Sequence, residues 1–156
     1  MKFIAALVVL TVVGIVSTAA QPKSTPFSNC ALGPTQMALT DFSVSPSPIC
    51  NGKEFCYTAT GTLSTALVEG ATFDLRIRFL NRLVYSDRAD LCDALTAGGH
   101  SDCNIPAGPV TLKICRLMKP HFLHNITAQF QTFLVNGDGG TIYCQAQTNY
   151  GLANCP

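Results

Sequence analysis

The clearest pattern in the chain is residues 71–79, ATFDLRIRF, where Phe73, Leu75, Ile77 and Phe79 alternate with Asp74, Arg76 and Arg78. A helix would mix these two sets around its surface, whereas a strand separates them onto opposite faces. The same period of two recurs along the chain. Phe42 and Val44 share one face of a run that Pro46 and Pro48 end. Phe55, Tyr57 and Ala59 alternate with Cys56, Thr58 and Thr60, after a turn signal at Asn51-Gly52. Val110, Leu112 and Ile114 alternate with Thr111, Lys113 and Cys115 in a run that stops before Pro120. Phe122, Ile126, Ala128, Phe130 and Leu134 occupy one parity of the next run, with Asn125, Thr127, Gln129 and Gln131 on the other. Residues 136–140 form a hairpin turn. Two stretches are less legible: residues 81–86 read as a short strand or a bend, and residues 142–150 set Gln145 and Gln147 against Ala146 and Thr148, which assigns no inward face.

One stretch breaks the period. In residues 90–109, DLCDALTAGGHSDCNIPAGP, Leu91, Ala94 and Leu95 fall at helical spacing, Asp90 stands at the N-cap position, and Gly98-Gly99 supplies a stop. About seven short strands separated by turns, with one small helical insert, predict an all-β, two-sheet antiparallel sandwich. A true immunoglobulin domain fits poorly, because no tryptophan is present to pack on an inter-sheet disulfide.

Composition narrows the class. Lys2, an apolar run over residues 3–16 and small residues over 17–20 have the form of a secretory signal peptide, residues 1–20, leaving one domain over 21–156. All eight cysteines follow that segment, and an even count in an exported chain predicts four disulfides. Zinc is disfavoured, since no CxxC pair exists and His121 and His124 lack a cysteine pair at finger spacing. Ten basic against nine acidic residues argue against nucleic acid or an acidic membrane surface as the main partner. The sequon at Asn125, on the polar parity, is a glycosylation site. No GxSxG elbow or phosphate-cradling glycine loop is present, and His100, His121 and His124 have no marked nucleophile beside them. Asp90 and Asp93 read as helix-terminal carboxylates, not a catalytic pair. Neither an enzyme nor a cofactor is expected.

In their order, Cys30, LTDFSVSPSP from Leu39, TATGTL ending at Leu63, EGATFDLRIRF from Glu69, DLCDAL from Asp90, CNIPAGPVTL from Cys103 and IYCQ from Ile142 resemble the ML family of secreted lipid-recognition domains. That family includes the Niemann-Pick type C sterol carrier and the fungal phosphatidylglycerol/phosphatidylinositol transfer proteins, and the latter resemble the chain more closely. The resemblance implies an immunoglobulin-like sandwich whose sheets splay to hold a lipid. It also implies disulfides Cys30–Cys144 and Cys92–Cys103. For the other four cysteines, a family form with a short-loop bridge would join Cys50 to Cys56 and Cys115 to Cys155. The outward parity of Cys56 and Cys115, on strands that family topology makes antiparallel neighbours, favours Cys56–Cys115 with Cys50–Cys155.

The same resemblance implies a monomeric secreted protein that binds and transfers a phospholipid or sterol, with transient membrane contact, in the extracellular space or the lumen of the secretory pathway, vacuole or lysosome. The rival is a lipid-sensing or receptor-engaging module without transfer. The expected lipid-binding residues are Phe42, Phe55, Tyr57, Phe73, Leu75, Ile77, Phe79, Leu112, Ile114, Phe122, Ile126, Phe130 and Leu134. The 90–109 insert is expected beside the cavity mouth, with Ile105, Pro106 and Pro109 as an apolar rim held by Cys92–Cys103, and Arg82 and Arg88 placed to meet a phosphate.

Overall fold

The computed structural model describes residues 26–120 and 125–156. In chain order the elements are β1 (Ser28–Asn29), β2 (Met37–Ser45), β3 (Ile49–Cys50), β4 (Glu54–Leu63), β5 (Thr72–Phe79), β6 (Arg82–Asp90), α1 (Leu91–Ala97), β7 (Gly108–Leu117), β8 (Ile126–Val135) and β9 (Thr141–Ala153). The long strands make an immunoglobulin-like antiparallel sandwich. One layer runs β1-β9-β8-β5-β6, with β3 added in parallel to β9, and the other runs β2-β4-β7. The signal segment and Phe122, His121 and His124 lie outside the described residues.

Of four register shifts in the strand pairings, three account for the stretches whose alternation is blurred. A register shift between Leu39 and Asp41 lets Met37 and Leu39 face the interior ahead of it while Phe42 and Val44 do so after it. A second, between Ile77 and Arg78, leaves Val84 as the extra residue of β6, so residues 82–90 form one nine-residue strand without clean periodicity. A third, opposite Ala128 and Phe130, changes the phase of β9. Its inward face is therefore Tyr143, Gln145 and Gln147, then Tyr150 and Leu152, all buried.

Two sides of the sandwich carry specific ties between the layers. At one end, buried Asn136 joins the layers: its amide donates to the Gln36 side chain and to the Ala66 carbonyl, and its Oδ1 accepts from the Val68 N–H. The Gln36 N–H donates to the Thr141 carbonyl beside it. Along the β6–β7 side, buried Asp87 accepts from Arg116 at 2.9 Å. On the same side α1 seals the gap with Leu91, Ala94 and Leu95 turned inward, its N-terminus capped by the Asp90 carboxylate. The side between β2 and β9 has neither an ion pair nor a helix across it among the described residues, and hydrogen bonds link it near its ends, Gln36 to Thr141 and Ser47 to Tyr150.

The four disulfides are Cys30–Cys144, Cys50–Cys155, Cys56–Cys115 and Cys92–Cys103, and no cysteine is free. Cys56 and Cys115 are directly paired residues of β4 and β7. Each bridge lies within one layer or within the helical insert.

The seat of α1 is tight, because a Cβ on Gly98 would collide with the Lys113 carbonyl of β7. Gly98→Ala is therefore expected to destabilise the protein by about 1–3 kcal/mol, the usual cost of overpacking. Hydrogen exchange should show the loss first in α1 and the adjoining part of β7.

Candidate functional site

Between the layers, Phe55, Tyr57, Phe73, Leu75, Ile77, Leu112, Ile114, Phe130 and Leu134 are all buried to within 1% of full burial and pack on one another. Tyr57 is the hub, with ring centroids 5.2 Å from Phe55, 5.4 Å from Phe73, 5.7 Å from Phe130 and 6.2 Å from Phe42. Phe42 and Ile126 are partly buried against this cluster, whereas Phe79, at the end of β5, is partly exposed and outside it.

The aromatic cluster reaches the surface at the β2–β9 side. There a cleft of about 480 Å³ is lined by Phe42, Leu39 and Val44 from one layer and by Gln145, Gln147 and Tyr150 from the other. Phe27, just before β1, lies across it. Its ring stands 4.6 Å from Phe42, 5.9 Å from Tyr150 and 6.2 Å from Phe130, so it touches both layers. This seam is amphipathic: the apolar side chains of Leu39, Phe42 and Val44 on β2 meet two buried amides on β9.

Behind it, the buried hydroxyls of Tyr57, Tyr143 and Thr132 have no hydrogen-bond partner among the described residues, whereas that of Tyr150 meets Ser47. Burying a hydroxyl unpaired costs about 1–3 kcal/mol on protein scales. The interior therefore carries polar groups that a guest with a hydroxyl, ester or amide could satisfy. Burial also pushes the Tyr57 and Tyr143 phenols well above the ordinary range, so both stay neutral into strong alkali.

The expected rim residues fall elsewhere. Ile105 is half-buried and bridged to Leu67, while Pro106 and Pro109 are exposed beside the side that α1 closes. Arg82 and Arg88 are exposed near the two ends of β6, six residues and about 20 Å apart. They are too far apart to share a phosphate, and none of these five residues lines the β2–β9 cleft. Asn125 is exposed, immediately before β8. Among the described residues, one group brings potential metal ligands together, Glu54 with Cys56 and Cys115, and both sulfurs are bonded to each other. The sequence reading missed Phe27, Leu39, Tyr143, Gln145, Gln147 and Tyr150. For the four on β9 the one sequence signal was the weak alternation over residues 142–150, which is what a strand with an amide-bearing inner face and a bulge produces.

The open two-sheet sandwich recurs among solved structures. A Niemann-Pick type C2 protein from the Japanese carpenter ant superposes with a TM-score of 0.59 at 12% identity, over 79% of this chain and 96% of that one. Chicken MD-1, solved in complex with lipid IVa, gives 0.52 at 15% identity, over 81% and 97%. At these identities the likeness concerns the fold. Among curated protein sequences nothing matches. The family model of the ML domain matches residues 24–149, and the chain belongs to that family.

Tyr57→Phe and Tyr143→Phe are each expected to raise stability in urea melts by up to about 1–3 kcal/mol, since each removes an unpaired hydroxyl and little volume. A pH series adds a second readout. The unfolded chain loses phenolic protons near pH 10 while the folded chain keeps them, so wild-type stability falls as pH rises past about 10. The double Phe variant should show a shallower fall.

Proposed function

We propose that the protein is a secreted lipid-binding and lipid-transfer protein, which loads one phospholipid or sterol between its layers through the β2–β9 seam. The observation that carries this reading is the seam itself: a side of an ML-domain sandwich that neither a helix nor an ion pair crosses among the described residues, amphipathic at its surface and continuous with the aromatic interior. Four disulfides within a chain that starts with a signal-like segment support passage through an oxidising compartment.

The magnitudes favour an interior site. A 16-carbon acyl chain leaving a bilayer forfeits roughly 12 kcal/mol at about 0.8 kcal/mol per CH₂, and only an equally dry site offsets that. The interior of the present structure is closely packed, so the layers part as the lipid enters. Phe27 swings out, the β2 layer turns about the ties at Asn136 and Asp87–Arg116, and the guest replaces aromatic contacts with its own. The amides of Gln145 and Gln147 meet the polar end at the seam, and the buried hydroxyls meet polar atoms further in. No covalent step is involved.

The protein purified from a eukaryotic secretory host is expected to yield phospholipid or sterol on solvent extraction, at up to one molecule per chain by native mass spectrometry. Labelled lipid should then move between vesicles in its presence. Bound lipid with no transfer would select the sensing or receptor-engaging module. An empty chain that moves nothing would dismiss both. Phe27→Ala should speed lipid exchange several-fold while leaving the far-ultraviolet spectrum unchanged; slower or unchanged exchange would remove Phe27 from the route.

A further inference from the structure

The outer face of the β2-β4-β7 layer carries a group of side chains that the interior leaves unused. Phe55 and Tyr57 of β4 point into the sandwich, so Glu54 and Cys56 point out of it. Cys115 stands directly opposite Cys56 on β7, with the two Cα atoms 4.1 Å apart. The Glu54 carboxylate and both sulfurs lie within 4.8 Å of one another, with Glu54 exposed, Cys56 partly exposed and Cys115 buried.

What keeps these two sulfurs side by side differs from what holds the other cysteines. Cys30 follows the two-residue β1, Cys50 ends the two-residue β3, and Cys103 lies in the loop after α1. In each of those bridges the covalent bond anchors a short segment. Cys56 and Cys115 instead sit inside an unbroken ladder of paired residues that runs from Glu54 opposite Leu117 to Leu63 opposite Gly108. The backbone pairing therefore holds them together whether or not their sulfurs are joined. Opening this bond leaves two thiols and a carboxylate on one fixed surface.

The donor set then names the cation. Two thiolates and a carboxylate suit zinc, a borderline-soft ion that takes sulfur at about 2.3 Å and oxygen at about 2.1 Å in a tetrahedron. That tetrahedron sets its sulfurs about 3.8 Å apart. The β-carbons of directly opposed strand residues are about 4.5–5.5 Å apart, so side-chain rotation alone reaches this spacing. Three protein ligands leave the fourth position, on the solvent side, to water. Calcium and magnesium, which take oxygen ligands, do not fit the two sulfurs.

We propose that Cys56, Cys115 and Glu54 form a zinc site that reduction unmasks. An external dithiol gives two electrons and two protons to the Cys56–Cys115 bond and leaves as its own disulfide. Zn²⁺ then displaces one proton from each thiol and is held by both sulfurs and the Glu54 carboxylate. In the oxidised chain the sulfurs are committed to each other, so metal enters only where the protein meets a dithiol reductant. The site faces away from the lipid interior, and neither reading rests on the other.

The test uses the full chain, reduced by a small dithiol that is removed before zinc chloride is added, with thiols trapped by alkylation and located by peptide mapping. One zinc ion per chain is expected, with Cys56 and Cys115 shielded from alkylation and the thermal midpoint raised by zinc. Glu54→Gln should weaken zinc at least about tenfold, the scale on which changes to a metal's ligand shell act. The oxidised wild type, and the Cys56→Ser, Cys115→Ser double variant after the same reduction, should take up none. Zinc bound by that double variant overturns the proposal, as does alkylation of Cys56 and Cys115 that zinc does not slow. Unchanged affinity in Glu54→Gln, which keeps every bridge and so is read even if the double variant fails to fold, removes the carboxylate and with it the site as proposed. Where the reductant opens other bridges too, the mapping still decides, because zinc must shield this pair and not the remaining thiols.

Discussion

Packing of inward side chains, rather than any covalent bond, holds the two layers of this sandwich together. Cys30–Cys144 and Cys50–Cys155 close loops on the β9 side, Cys56–Cys115 crosses from β4 to β7 in the other layer, and Cys92–Cys103 stays inside the helical insert. In an immunoglobulin domain the characteristic bridge runs between sheets and fixes their separation. Here each layer is stiffened and the gap is left to side chains. The polar ties at Asn136 and at Asp87–Arg116 then determine which sides stay shut.

That arrangement gives the interior an unusual standing. Close packing ordinarily makes a core the most fixed part of a protein. In this one the aromatic rings meet edge to face or tilted about Tyr57, and three hydroxyls lie among them without partners. Such a core is less stable than an all-apolar one of the same volume. The deficit lies where a guest would supply both apolar surface and hydrogen bonds, so filling the interior from outside competes with the packing already there on favourable terms.

The sequence was legible wherever alternation was unbroken. Phe73, Leu75 and Ile77 on β5, Phe55 and Tyr57 on β4, and Phe130 and Leu134 on β8 could be oriented from period alone, and the Asp90 cap and Gly98 stop marked the one helix. Bulges ended that legibility, because one extra residue inverts every later assignment: Leu39 and Phe42 have opposite parity yet both pack inward. The amides of β9 were obscured for a second reason, since Gln at an inner position reads as an outer one. Phe27 left no periodic trace at all, lying before a strand of two residues. The placement of the insert beside the opening followed from family resemblance. Its buried face, Leu91, Ala94 and Leu95, packs at the β6–β7 side, away from the β2–β9 cleft.

The position of β9 in the chain has a consequence for how the molecule is made. During synthesis the β2-β4-β7 layer is complete at Leu117, and Cys56–Cys115 and Cys92–Cys103 can both form by then. The larger layer can pair β6, β5 and β8 but cannot be completed until β9, which starts at Thr141 and pairs with β1, β3 and β8, has been delivered. Cys30 and Cys50 must wait for Cys144 and Cys155 over loops of 114 and 105 residues. In that interval their thiols are the two open to exchange with a passing oxidoreductase. Vectorial synthesis thus gives the four bridges a natural order, with the β4–β7 and insert bonds first and the two that anchor β9 last.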